Sequence, residues 1–529
     1  MLSEGRLHTE PRMQGGRSSP REEAHHDQPS HPAQHYQGLG RSPYRYGRRA
    51  GHDWRVGGLL AGWWIPRGPL TTAEALSTMG IGLAVGVVAG FVLRSRWAML
   101  AAPTVAAAVY ELARLGTDGP TVDGIHTSPY GIFALVVGRV FHTLIGLTPM
   151  VLGAAMGAGT ARRLSAPERA SAGLYIRRGV AGLTAVALIA LAALIARPPT
   201  TAPLLAADAR PVVGSINELT TVEAGGKNLG LMLRGMSTEK PVLLFLAGGP
   251  GGSERGAMRN HLPELEESFV VAIVDQRGTG TSYPELDPAT SLTLAGSVAD
   301  TIAVTNYLRD RFHQDRIYLM GQSGGTIPGI LAIQEAPMLY HAFIGTGQMV
   351  SPLETDRIFY QDTLAWAGRT GDTALVQKLN QIGQPPYENM LDYETALSHE
   401  PQVYPYDRSA NSEGVGGFSE NFLVPEYTLT DQVHLLGAFM DTFAVMYPQF
   451  QDIDFRVTAT RLEVPVYFAQ GAHEAPGRSG PFQQWFAMLD APSKDVTVLA
   501  TSGHRPLFEQ PAEFVEYMTN TVLPQTPRS

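Results

Sequence analysis

The chain has 529 residues and no cysteine, which excludes disulfides, thiolate metal sites and a cysteine nucleophile. That length is too great for one ordinary domain. The net charge of −9 hides a split: residues 1–210 hold 21 Arg, no Lys and 12 acids, and the remainder 19 basic and 37 acidic residues, so two environments are expected.

Residues 1–56 are rich in Arg, His, Pro, Ser and Gly and nearly lack aliphatic side chains. Such a stretch cannot bury enough apolar surface to offset its ordering entropy, so a disordered tail is expected. Its histidines match no metal-ligand spacing. Residues 57–196 form the second unit. Four apolar stretches, at 75–93, 97–115, 131–159 and 179–196, predict about four membrane crossings, each needing roughly 20 apolar residues. The earlier patch 57–66 is too short to span, and its tryptophans suit a membrane interface. Residues 161–178 carry five arginines and the loop 116–129 none, so the positive-inside rule puts 161–178 in the cytoplasm. A multi-pass cell-membrane protein follows, with everything after the last helix outside the cytoplasm. Arg139 and His142 lie one helical turn apart in the third stretch. They mark either an intramembrane functional pair or an interfacial helix whose polar groups meet water, and the second reading is preferred.

Residues 197–211 read as a Pro/Ala linker. Beyond it, short buried-strand runs end in Gly-rich polar turns, with helix-like stretches between several of them. The runs are 240–254, 269–282, 316–326, 464–477 and 495–511. This pattern predicts a mostly parallel α/β sheet, whose sites gather beyond the carboxyl ends of the strands. The expected core spans 212–350 and 456–529, with 351–455 inserted as a helical cap.

The reactive candidates sit at those strand ends. Gly321-Gln322-Ser323-Gly324-Gly325 fits G-x-S-x-G on a strand-to-helix turn, where glycines permit the tight bend that exposes a serine hydroxyl. A serine needs a base, and His504 can take its proton. Glu474 can fix the imidazole tautomer and stabilise the imidazolium. The backbone N–H groups of Gly324 and of the Gly248–Gly251 loop, Gly249 foremost, are candidates for an oxyanion hole. Asp275 and Arg277 are expected to support the second strand's turn. His473 is a rival base with poorer spacing. The competing reading is a Gly-rich turn with an incidental serine, and the ordered set of segments argues against it.

Together, "LLFLAGGPGGSE", "DQRGTGTS", "GQSGGT", "VPVYFAQG" and "TSGHRPLFEQP" resemble successive signatures of the proline iminopeptidase-like α/β-hydrolases, over about residues 212–525. The resemblance implies an α/β-hydrolase fold with a helical cap. It places Ser323, His504 and Glu474 in the triad and Gly249 and Gly324 in the oxyanion hole, and it makes small peptides the leading substrates. Three positions depart from the family pattern: Ala247 replaces a histidine, Gly324 replaces a bulky residue, and Glu474 replaces an aspartate. The alternatives are an esterase acting on small or lipid esters, a catalytically silent ligand-binding homologue, and a transport role for the helices. No cofactor, metal or nucleic-acid partner is expected.

Overall fold

The computed structural model describes residues 70–114, 128–165, 171–206, 208–286, 289–407 and 419–526. The basic tail and the patch 57–66 lie outside them.

The first helix, α1 (Thr72–Leu93), starts at a capping box in which Thr71 and Glu74 satisfy each other's backbone N–H groups. It ends at Arg94, in the left-handed region at φ 50°. Helix α2 (Ala98–Arg114) follows a short turn. Helices α3 (Pro129–His142) and α4 (Thr148–Ser165) join through a π-helical turn, Thr143–Leu147, into one rod of 37 residues. Helix α5 (Ala172–Ile195) is capped by Ser171.

Three of these rods are long and apolar enough to cross a membrane: Thr72–Leu93, Pro129–Ser165 and Ala172–Ile195. Among the described residues, three of the four expected stretches reach that length, and α2, described over 17 residues, lies at the short end of what a crossing needs. The 37-residue rod has the opposite character. At 1.5 Å per residue it runs about 55 Å, well beyond a hydrocarbon core of about 30 Å.

Helices α1 and α4 pack at backbone distance. A Cβ added at Gly86 would lie 2.1 Å from the Met150 carbonyl oxygen, and one at Gly90 2.1 Å from that of Ala154. From the other side, a Cβ at Gly153 would meet the Leu83 oxygen at 2.2 Å, and one at Gly157 the Val87 oxygen at 2.0 Å. The partner number rises with the residue number, so the two helices run parallel. Small residues four apart are what permit this approach.

The second part is an eight-stranded sheet of β1 (Ile216–Ala224), β2 (Lys227–Gly235), β3 (Val242–Leu246), β4 (Val270–Val274), β5 (Ile317–Gln322), β6 (Tyr340–Thr346), β7 (Val466–Gly471) and β8 (Lys494–Leu499). Its order is β1-β2-β4-β3-β5-β6-β7-β8. The pairs β1–β2 and β2–β4 are antiparallel and all the others parallel. The central strands are buried along their whole length, as strands covered on both faces must be. Alternation splits them between two cores. Val242, Leu244 and Leu246 join one with α6 (Leu294–Phe312) and α7 (Thr326–Glu335); Leu243 and Phe245 join the other with Met258, Phe508 and Phe514.

Between β6 and β7 the chain passes through several helices, chiefly α8 (Pro352–Thr370) and α9 (Leu429–Phe450). This is the segment read as a helical cap. The N-terminal end of α9 packs against the apolar rods: Leu429 and Val433 join Ala75, Met79, Phe141 and Ile145. The Phe141 and His142 rings lie 6.1 and 6.2 Å from the ring of His434. Thus α3 runs beside the cap helix. Arg139 pairs with Glu111 of α2.

Candidate active site

The parallel register brings the carboxyl ends of the strands level. Leu246 pairs with Gly321, Gly321 with Gly345, Gly345 with Phe468, and Gly471 with Leu499. The loops that follow therefore converge on one edge.

At the end of β5 the chain turns sharply into α7. Ser323 sits at the bend with φ 49°, one of few non-glycine residues in the left-handed region. That conformation is costly for an L-residue and, in an elbow, holds the side chain clear of its neighbours. The flanking glycines are required by contact. A Cβ at Gly321 would lie 2.8 Å from the Gly325 carbonyl oxygen, and one at Gly325 2.4 Å from that of Leu246. Gln322 is buried, its amide against the backbone of Gly248. The Thr326 hydroxyl donates to the Ser323 carbonyl at 2.6 Å and accepts from the Met349 N–H at 3.1 Å, which fixes the turn.

Two residues from other strand ends complete a hydrogen-bonded row. His504, after β8, has Nε2 2.7 Å from Ser323 Oγ and Nδ1 2.6 Å from Glu474 Oε2. Glu474, after β7, is buried, and its other oxygen accepts from the Ala475 N–H at 2.8 Å and from Arg478 Nε at 2.7 Å. Burial alone would favour the neutral acid. The charges of Arg478 and His504, with hydrogen bonds from both, outweigh it and hold the carboxyl down to about 2. The acid is therefore ionised across the neutral range.

Above the elbow, the loop after β3 bends through Gly249 at φ 116° and Gly251 at φ 105°. Gly324 abuts this loop so closely that a Cβ there would sit 2.3 Å from the Gly249 carbonyl oxygen. Here the chain permits no side chain, which accounts for glycine where the resembling family carries a bulky residue. Ala247 offers its carbonyl to the Gln276 amide at 3.0 Å.

Asp275 and Arg277 brace this edge. Asp275 accepts from the Thr281 N–H and hydroxyl and from the Tyr427 hydroxyl, each at 2.9 Å, and pairs with buried Arg255 at 3.0 Å. Tyr427 precedes α9, so this carboxylate ties the sheet to the cap segment. Arg277 pairs with Asp300 of α6 at 2.7 Å. His473, the rival base, is exposed and stacks on Tyr406 with ring centroids 5.1 Å apart.

Sequence reasoning missed Arg478. It lies four residues beyond Glu474, in the first turn of α10 (Pro476–Met488), and that i, i+4 spacing was the available signal. Its guanidinium also pairs with Glu400 of the cap segment and lies 4.8 Å over the Phe359 ring.

A strained serine elbow after β5, an ionised acid after β7 and a histidine after β8 define the architecture of an α/β hydrolase. A family model described as alpha/beta hydrolase fold matches residues 241–511, and the chain belongs to that family, which places it among hydrolases. It is 27% identical over 320 residues to a protein of Bacillus subtilis (strain 168) named probable aminopeptidase YbaC, covering 58% of this chain and 97% of that one. Among solved structures it is similar to a proline iminopeptidase-related protein of Thermus thermophilus, with 20% identity, 58% and 96% coverage and a TM-score of 0.38. It is also similar to 2-hydroxy-6-oxo-6-phenylhexa-2,4-dienoate hydrolase of a Rhodococcus species, with 17% identity, 58% and 100% coverage and a TM-score of 0.40.

Proposed function

We propose that the protein is a membrane-anchored serine hydrolase that releases N-terminal residues from small peptides. The observation that carries this reading is the unbroken row from Ser323 through His504 to Glu474, with links of 2.7 and 2.6 Å. In the proposed reaction Ser323 Oγ attacks the substrate carbonyl while His504 Nε2 takes its proton. Glu474, ionised and tied to Nδ1, stabilises the imidazolium that forms. The N–H groups of Gly249 and Gly324 receive the developing oxyanion; losing one such donor typically costs about 3 kcal/mol of barrier. His504 returns the proton to the leaving amine. A water molecule, activated by the same imidazole, then frees the acyl-enzyme. The peptide substrate is supported by the likeness to the probable aminopeptidase, nearly all of whose length is covered.

The apolar rods supply the anchor. Arg162 and Arg163 end α4, and Arg177 and Arg178 lie near the start of α5. The hydrolase part follows the opposite end of α5. With the arginines on the cytoplasmic side, the hydrolase lies outside the cytoplasm.

The test is labelling of the full chain in detergent with a fluorophosphonate, followed by turnover of aminoacyl amides against small esters. Wild type is expected to label, and Ser323→Ala and His504→Ala to lose labelling. A folded wild type that does not label would sink the serine mechanism, and turnover of esters alone would replace the peptidase with an esterase.

A further inference from the structure

Glutamate has one more rotatable bond than aspartate, so a glutamate beside the histidine has more ways to miss it. Here that freedom is removed from one side. Glu474 Oε1 takes the Ala475 N–H at 2.8 Å and Arg478 Nε at 2.7 Å, which leaves Oε2 alone to meet His504 Nδ1 at 2.6 Å. Arg478 is itself 6% exposed and cannot drift, because its far nitrogen pairs with Glu400 and its plane lies over Phe359. A buried guanidinium held at both ends is a rigid clamp, since its donors form a fixed planar fork.

We infer that Arg478 is a positioning residue of this site: it sets the orientation of Glu474 and so the direction in which His504 faces Ser323. This rests on the serine-hydrolase reading above. Arg478 touches neither Ser323 nor a substrate in this role and acts only through the carboxylate. The charged and titratable groups around it are Glu474 and His504 on the core side, and Glu400, Asp356 with its partner Tyr447, and the Tyr404–Asp362 pair from the cap segment. Removing its positive charge leaves carboxylates facing the imidazole. The His504–Glu474 pair then takes up a proton more readily, and the acid limb of activity moves to higher pH.

The experiment follows the rate of fluorophosphonate labelling of the full chain in detergent between pH 4 and 9. Arg478→Met is expected to slow labelling about 100-fold, the usual cost of misplacing a reacting group by ~1 Å, and to raise the acid limb by about one pH unit. Arg478→Lys keeps the charge but has no fork to serve both glutamates, so it is expected to fall between wild type and Arg478→Met. In a Glu474→Gln background, Arg478→Met is expected to slow labelling no further, because its route of action is already cut. Wild-type rate and profile in Arg478→Met would overturn the inference. So would losses that multiply in the double variant, which would show that Arg478 acts otherwise than through Glu474. If melting shows Arg478→Met unfolded, Arg478→Lys carries the test alone, and a wild-type rate there overturns it. A folded wild type that does not label overturns the serine mechanism instead, and that is read before any Arg478 variant.

Discussion

Ser323 is held at φ 49°, where a Cβ costs roughly 1–2 kcal/mol. Removing that Cβ relieves the elbow, whereas removing only the hydroxyl does not. Ser323→Gly and Ser323→Ala are both expected to lose labelling. The glycine variant should be the more stable by roughly 0.5–1 kcal/mol in urea unfolding, after allowance for its greater unfolded-state entropy. Two buried carboxyls then give stability opposite slopes with pH. Glu474 is lowered from 4.5 to about 2 despite burial, by Arg478 and His504, so its contribution is complete above pH 4.5 and is lost as the pH falls towards 2. Asp356 is raised from 3.8 to about 7 by burial, against the Tyr447 and Gln451 hydrogen bonds and the charge of Arg478. Its folded form holds the proton more tightly than the unfolded one, so its contribution is complete below pH 3.8 and is lost as the pH rises through 7. Thermal melts should show the midpoint falling from pH 5 to pH 8. Asp356→Asn, which carries no charge to bury, should remove part of that fall, on the order of 3 °C.

At the scale of elements, the strand ends were legible because each carries its signal locally: an apolar run, then glycines, then a reactive side chain. Ser323, Glu474 and His504 could be named from such runs, and the structure brings them together. The Arg478–Glu400 link was not legible, because its partners lie 78 residues apart and only the folded cap segment joins them. The same holds for the helices. Gly82, Gly86 and Gly90 stand four residues apart in the sequence, yet nothing local says that α4 covers them in a parallel sense. That packing makes a contrast within one helix. Gly86→Leu drives a side chain into the backbone of Met150 and Ala154, whereas a Cβ at Gly80 has nothing within 4 Å. Gly86→Leu should cost ~1–3 kcal/mol or more and lower the melting temperature of the full chain in detergent, with Gly80→Leu unchanged. Equal melting of the two would sink the parallel pairing.

For the whole molecule, composition read residues 197–211 as a linker, and the structure gives that segment fixed partners. The Thr200 N–H donates to the Pro425 carbonyl at 2.8 Å, and the Arg234 guanidinium reaches the Thr201 hydroxyl and the Ala202 carbonyl at 2.6 Å each. Leu204 is buried, and Leu205 bridges to Pro211. Pro and Ala signal an extended backbone, but whether such a backbone floats or docks depends on donors far away in the chain, here Arg234 of β2. The length of the 37-residue rod has a similar explanation: its surplus over one crossing lies along α9, which sequence periodicity could not foresee. With α9 gripped by α3 and the segment after α5 pinned to the sheet, the hydrolase part has no swivel. On the proposed placement, its active edge keeps one height and one facing relative to the bilayer. A substrate arriving from solution then meets a fixed port instead of a head searching on a string, and slack in residues 197–211 contributes nothing to its reach.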